Sequence, residues 1–169
     1  MTAMKDSELA ETTGHGFSEF SFVNGVAMAK LDIRAATYTE IDSMKLGYYD
    51  NGSGLGWDQD WTNVQMGSAT EDLVFNGFFI RAEFDNYDNP ATRRLLSLQI
   101  GTQDLSGTIK ADFNSFSGDI NSAGGQISGN RLPSSFSQIT STGGGFYFAI
   151  NLEGPNKGIT VHFDNATTQ

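Results

Sequence analysis

The chain contains no cysteine among its 169 residues, and it contains only 2 histidines and 3 prolines. Because cysteine is absent, the protein has no disulfide framework, no thiol nucleophile and no thiolate ligand for a metal. The absence leaves the cellular compartment open, since many exported bacterial proteins also lack cysteine. Thiol chemistry is therefore the first class of function that the sequence excludes.

Long apolar runs are also lacking. No stretch approaches the ~20 consecutive apolar residues that a membrane-spanning helix needs. The first residues do not combine a basic region with an apolar run, as a signal peptide would. We expect no membrane span, and we expect Met1 to begin either a cytosolic protein or an exported one whose signal peptide has been removed.

Positive charge is scarce. The sequence has 10 Lys and Arg against 20 Asp and Glu, which gives a net charge of −10. A surface of this sign repels the phosphates of a duplex, so we expect no nucleic-acid partner. Acidity combined with many Asn, Asp, Gly and Ser residues is typical of secreted surface proteins, and it also supplies oxygen ligands for cations.

What the chain has in abundance is short strand-like runs. Hydrophobic residues make up 38% of it and include 13 Phe, which favours a folded protein of one domain. Apolar and polar positions alternate in "GFFIRAEF", "LLSLQI" and "FYFAINL", and the dipeptide Asn24-Gly25 is a strong hairpin signal. The pattern predicts an all-β, single antiparallel β-sandwich or jelly-roll-like domain over residues 17–169.

Residues 1–16 differ in pattern from the rest of the chain. Thr2 can cap a short helix that runs through Glu11, and Gly14 is a plausible end for it. A helix of this length is marginal in water unless it packs on something. We therefore expect a short helical or flexible N-terminal extension.

Ser-Gly pairs recur every eleven residues in "LSGTI", "FSGDI" and "ISGNR". If each unit is one short strand plus a tight turn, the units form either strands of a meander or rungs of a β-solenoid-like stack. Arg131 degrades the third copy, because Ile109 and Ile120 hold the equivalent positions, and this favours the meander. The expected inward side chains are Leu105, Ile109, Phe113, Phe116, Ile120 and Ile127.

Nothing in the sequence predicts catalysis. His162 lies between Val161 and Phe163, so we expect a solvated histidine on the polar face of a strand, and His15 lies between two glycines. The nucleophile-elbow, zinc-protease, phosphate-loop and dinucleotide motifs are all absent. A pair of carboxylates for glycoside hydrolysis can always be found among so many acids, which makes such a pair uninformative. We expect a protein that is not an enzyme.

Two oxygen-rich stretches could hold calcium. Asp58 and Asp60 occur in "GWDQDWTN", and Asp85 and Asp88 occur in "EFDNYDNP". Ca²⁺ prefers six to eight oxygen ligands, although the EF-hand spacing is missing here. Asp and Asn also form turns by binding their own backbone. We expect no resident cofactor, with calcium at these four acids as the alternative.

Aromatic residues in the same region suggest a ligand platform. If the segment is extended, Trp57 and Trp61 point the same way, and Tyr49 lies close by in the sequence. Aromatic faces beside carboxylates and amides bind sugar rings in many β-sandwich modules. The competing interpretation is that the two indoles close the core, with each N–H bonded to one partner.

Three stretches carry a family resemblance: "MKDSELAETTGHG", "KLGYYDNGSGLGWDQDW" and "NPATRRLLSLQIGTQDLSGTIKADFNSFSGDI". They resemble an uncharacterised family of secreted Gram-negative bacterial proteins, some of which are labelled as pilus-system or outer-surface proteins. The similarity runs from Asp6 to about Phe163. It implies export, with the signal peptide already removed, and a surface role, but it supplies no catalytic residues. Typical members have Gln where His15 stands, so the role of that stretch stays open.

The resulting expectation is a non-enzymatic, extracellular structural or adhesive surface protein, such as a filament or pilus subunit. "GGGFYFAINLEG" has no Lys or Pro to guard a strand edge, and "FSEFSFVNGVAMA" could be donated to a neighbour by β-strand complementation. The candidate assembly residues are Phe17, Phe20, Phe22, Val26 and Met28. The alternative is a monomeric glycan- or calcium-binding β-sandwich module.

Overall fold

The structure is a computed structural model, and it describes residues 19–50, 54–132, 135–154 and 157–169. These residues form strands, turns and bends without a helix, which confirms the all-β prediction. The strands are β1 (Glu19–Val23), β2 (Val26–Thr37), β3 (Thr39–Asp50), β4 (Leu55–Met66), β5 (Leu73–Asp85), β6 (Arg94–Ser122), β7 (Gly125–Leu132), β8 (Gln138–Thr142), β9 (Phe146–Asn151), β10 (Gly158–Phe163) and β11 (Ala166–Thr168). The expected N-terminal extension lies outside the described residues.

Strand β6 organises the sheet. It is 29 residues long, and its first part pairs with β5 on one side and with β9 on the other. Its later part pairs with β4 and β7, while β8 joins it near the middle. The pairing is antiparallel except where β10 runs parallel to β6. The open sheet therefore turns back on itself along β6, as in a β-sandwich.

The core is built on aromatic rings where the two halves of the sheet face each other. Trp61, Phe113 and Phe116 are fully buried, and the centroids of the Trp61 and Phe113 rings are 5.0 Å apart in an edge-to-face arrangement. Rings of this size dominate the burial energy of a domain. The inward residues predicted from the Ser-Gly stretches are Leu105, Ile109, Phe113, Phe116 and Ile120, all buried, and Ile127, which packs against them.

The eleven-residue units are not separate strands, so both the meander and the solenoid interpretations of the repeat were wrong. Gly107 and Gly118 lie within the single strand β6, and Gly129 lies in β7. The physical reason is close approach of neighbouring strands. A Cβ on Gly118 would collide with the backbone of Val161 in β10, and one on Gly107 would press on Leu73 in β5. Gly107 and Gly118 therefore allow a neighbouring strand to approach closely and do not form turns.

The predicted hairpin and the predicted edge had different outcomes. Asn24 and Gly25 have φ angles of 50° and 81° and connect β1 to β2, as the dipeptide indicates. The expectation that "GGGFYFAINLEG" forms an open edge was wrong, because β9 lies between β6 and β10. Among the described residues β1 pairs only with β2, so one edge of the sheet is at the N-terminal hairpin.

Candidate functional site

An apolar face extends across six of the described strands. Cross-strand pairing places side chains in two rows that cross β1, β2, β5, β6, β9 and β10. The rows are Phe20, Ala29, Ile80, Ile100, Phe148 and Val161, and then Phe22, Ala27, Ala82, Leu98, Ile150 and Ile159. We call these twelve residues the apolar face. Directly paired residues share one side of a sheet, so the whole face points the same way.

Exposure along this face changes from one end to the other. Val161 belongs to the core and is 0% exposed, whereas Phe20 at the β1 edge is 73% exposed. Between them Ile80 and Ile100 are about half exposed, and the Tyr87 ring meets Phe22 edge to face at 6.2 Å. The face is thus an extension of the core whose outer half is partly exposed.

The predicted assembly residues divide between the two sides of the hairpin. Phe20 and Phe22 belong to the apolar face. Val26 and Met28 pair with Glu83 and Arg81 and therefore point to the opposite, polar side of the sheet. Phe17 lies outside the described residues.

The predicted aromatic platform is mostly interior. Trp61 is buried in the core, and its indole N–H donates to Gln59 Oε1 at 3.2 Å. Trp57 is half-buried and meets Tyr48 edge to face, with ring centroids 5.2 Å apart. The Tyr49 ring lies under the guanidinium of Arg131, 3.4 Å from its centroid. Trp57 and Trp61 therefore lie on the same strand, but their rings do not form an exposed surface on which a ligand could stack.

Asp58 is buried and is bound by protein groups. Its Oδ1 accepts from Arg131 Nε and Nη2 at 3.1 and 3.0 Å, and its Oδ2 accepts the Ile159 N–H at 2.8 Å. The carboxylate thereby joins β4, β7 and β10. Each of these contacts uses an oxygen lone pair that a calcium ion would otherwise need.

The other predicted calcium ligands lie apart from Asp58. Asp60 is 3.3 Å from Lys45, and its Oδ1 is buried without a hydrogen-bond partner. Asp85 pairs with Arg94 at 2.8 Å, and this hydrogen bond lowers the pKa of the carboxyl. Asp88 is exposed on the loop after β5. Within the described ranges no group of three or more His, Asp or Glu residues is arranged to hold a metal ion.

A polar cleft of about 380 Å³ lies on the opposite side of the same strands. One row of pairs brings Tyr147, His162, Asp119 and Ser128 together from β9, β10, β6 and β7. The rings of Tyr147 and His162 stack with centroids 4.6 Å apart. The expectation of a solvated surface histidine was wrong in this respect, because the His162 side chain is only 20% exposed.

A chain of hydrogen bonds runs along this cleft. Asn151 Nδ2 donates to Thr160 Oγ1 at 3.0 Å, and Thr160 Oγ1 lies 2.9 Å from His162 Nε2. His162 Nδ1 lies 2.9 Å from Asp119 Oδ2, and the Ser128 hydroxyl donates to Asp119 Oδ1. Because a carboxylate only accepts, Nδ1 carries the proton and Nε2 accepts from the threonine. Sequence reasoning missed this site, since His162 and Asp119 meet only through the pairing of β10 with β6.

The neutral form of His162 follows from its surroundings. Burial lowers the pKa of His162 and outweighs the raising effect of Asp119 and Asp164. Burial likewise raises the pKa of the Tyr147 phenol beside it. The Asp119 contact is therefore a hydrogen bond from a neutral imidazole and not an ion pair.

This assignment predicts a pH dependence of stability. The unfolded chain takes up a proton at His162 near the ordinary pKa of about 6.5, and the folded chain takes it up only at lower pH. The contribution of His162 is thus present above about pH 6.5 and is lost as the pH falls through the folded pKa. Urea unfolding at pH 7.5 and pH 5.5 should show a smaller acid-induced loss for His162→Gln than for the wild type. An equal loss in both proteins would contradict the assignment.

No protein-family model matches the chain, and no curated protein or solved structure is detectably similar to it. No described residue belongs to a helix with the length and apolarity that a bilayer span requires.

Proposed function

We propose that the protein is a non-enzymatic, extracellular structural or adhesive surface protein that assembles with identical copies of itself. The single observation that carries the proposal is the apolar face, which continues the core outward to Phe20 at an edge strand. Contiguous exposed apolar surface of this kind marks sites of protein contact. The acidic composition, which is typical of secreted surface proteins, supports an extracellular location.

A second copy of the chain is the occupant that best fits this surface. The rows contain only Ala, Val, Leu, Ile and Phe, so two such faces meet without burying a charge. An isologous contact also lets the same patch serve on both subunits. The net charge of −10 opposes association through acidic parts of the surface, and this favours contact through a face that lacks ionic groups.

Strand β1 is an edge strand at which a second copy could add to the sheet. No strand among the described residues pairs with the other side of β1, where an added strand would find backbone N–H and C=O groups. A strand of a neighbouring copy that pairs there would extend the sheet and the apolar face together, as in β-augmentation. Because the edge contact and the face-to-face contact use different surfaces, their alternation along successive copies would give a filament.

Substitution on the apolar face tests the proposal. The variants Phe20→Glu and Phe22→Glu place a charge where a neighbouring copy would bury a ring, and we expect each to weaken self-association about tenfold or more. Analytical ultracentrifugation of the full chain measures this effect, and negative-stain microscopy shows whether filaments form. Added salt should strengthen association of the wild type, because it screens the repulsion between acidic copies.

Leu55→Glu is the matched control. Leu55 is 68% exposed, close to the value for Phe20, but it lies on β4 away from the apolar face. It should leave association unchanged. A wild type that stays monomeric up to millimolar concentration, or a Leu55 variant as impaired as the Phe20 variant, would overturn the proposal.

A further inference from the structure

The polar cleft has the form of a ligand site. Its volume of about 380 Å³ falls in the range of small-molecule pockets. It opens between the polar side of β9 and β10 and the strand β7, and three carboxylates, from Glu83, Asp119 and Glu153, line it. The amide groups of Gln99 and Asn151 line it as well.

The side chains of the cleft are held in place before any ligand arrives. The hydrogen-bond chain from Asn151 to Ser128 fixes the orientation of every polar group along it. On the far wall Glu83 accepts from Arg81 at 2.7 Å and from Ser97 at 3.3 Å. Preorganised groups reduce the entropy that is lost on binding.

The amide of Gln99 is held in place as well. Gln99 is nine-tenths buried and lines the cleft, and its Nε2 donates to Glu83 Oε1 at 3.5 Å. Its Oε1 makes no hydrogen bond, and a buried acceptor of this kind costs about 1–3 kcal/mol. Because this oxygen is buried from solvent, it is not one of the atoms that a ligand in the cleft contacts.

We propose that the cleft binds a neutral saccharide. Sugar hydroxyls both donate and accept, which matches a lining that contains carboxylates, amides and hydroxyls. Among the described residues that line the cleft none is Lys or Arg, and this disfavours phosphates and acidic sugars. The Tyr147 ring stacks on His162 and also lies 6.1 Å from the Phe79 ring, so the sugar is held by hydrogen bonds and not by stacking on a free aromatic face. This site is separate from the apolar face and from the Trp57 region.

The arrangement of Thr160, His162 and Asp119 has the order of a hydrolytic triad, but it serves to position groups here. Thr160 is 5% exposed, and its hydroxyl already accepts from Asn151 while it donates to His162. The backbones of Gly118 and Asp119 pair with β7 and β10 on their two sides, so these residues provide no oxyanion site. The chain therefore orders the walls of a binding cleft.

An array of oligosaccharides followed by calorimetry tests the site. The full-length chain is applied to neutral oligosaccharides of glucose, galactose and N-acetylglucosamine, and to sialylated, sulfated and amino sugars. We expect binding to members of the neutral set. Glu153→Ala, at an exposed rim position, and Asn151→Ala should each weaken the calorimetric affinity about tenfold, because each removes hydrogen bonds to the sugar.

Glu40→Ala is the control, since Glu40 is an exposed acid on β3 outside the cleft. It should bind the same neutral sugar as tightly as the wild type does. Binding only to charged sugars, or binding to none of the array by the folded protein, would overturn the proposal. Unchanged affinity in Glu153→Ala and Asn151→Ala would overturn it too, and would place any sugar site elsewhere.

Discussion

Gly118→Ala should abolish cooperative folding or lower the free energy of unfolding by ~4 kcal/mol or more, which is at the extreme of single substitutions. Gly118 lies in β6 with β7 on one side and β10 on the other, paired with Gly129 and Val161. A Cβ at this position would overlap the backbone of Val161, and a φ of 144° is one that other residues rarely adopt. The clash is with backbone, so a change of side-chain rotamer cannot relieve it. Urea unfolding followed by circular dichroism measures the effect.

Gly124→Ala is the matched control for this substitution. Gly124 lies in the turn between β6 and β7, and the nearest atom to an added Cβ would be the Ser122 hydroxyl at 3.9 Å. The control should change stability by less than ~1 kcal/mol, as open surface positions do. If Gly118→Ala unfolds at the same urea concentration as Gly124→Ala, the parallel pairing of β10 with β6 is not present in solution.

Gly118 also illustrates which features of the fold can be predicted from sequence and which cannot. Period-two alternation and Asn24-Gly25 are local signals, and they correctly indicated an all-β chain and its first hairpin. The Ser-Gly pairs predict turns, because glycine more often marks a turn than a crowded sheet, and that prediction was wrong. Whether a strand passes beside Gly118 depends on β10, which comes much later in the chain. No local pattern contains that information.

The surroundings of the candidate site residues could not be predicted from sequence for the same reason. Trp61 and Asp58 have the chemistry of ligand-binding residues, and both are buried once β4 pairs with β3 and β6. The alternation correctly placed His162 on a polar face, but its partner Asp119 comes from another strand. The sequence thus indicates on which side of a strand a residue lies. Its neighbours across the sheet determine whether a polar side chain there contacts solvent, a ligand or another residue.

The apolar face and the cleft occupy opposite sides of β5, β6, β9 and β10. Alternation along these strands sends Ile100 to one side and Gln99 to the other, so one set of strands carries both surfaces. A copy that docks on the apolar face would leave the cleft open. Assembly and saccharide binding are therefore compatible in one particle, which is the arrangement that an adhesive filament requires.

The second large loss of stability is expected when the ion pair between Arg131 and Asp58 is broken. Arg131 has a φ of 54°, a left-handed conformation that costs a residue with a side chain about 1–3 kcal/mol. Three contacts hold it: the Asp58 carboxylate, the Tyr49 ring, and Ser117 Oγ, which accepts the Arg131 N–H at 2.7 Å. Asp58 is the only one of these partners that carries charge, and it also binds the N–H of Ile159.

Asp58→Ala should accordingly lower the free energy of unfolding by about 3 kcal/mol, near the lower end of the range for breaking a buried ion pair. The lower end applies because the Arg131 side chain is 34% exposed and water replaces part of the lost interaction. Asp112→Ala, at an exposed carboxylate on β6 that accepts from Asn63, should cost less than ~1 kcal/mol.

Arg131→Met separates the ion pair from the rest of the Asp58 contacts. In Asp58→Ala combined with Arg131→Met the loss should be smaller than the sum of the two single losses, because the second change removes a charge that the first left unpaired. Strictly additive losses would show that the two side chains act independently. A calcium-dependent rise in the melting temperature of the wild type that disappears in Asp58→Ala would show instead that the carboxylate holds a cation. Since both oxygens of Asp58 already accept hydrogen bonds from Arg131 and Ile159, we expect coupling without calcium dependence.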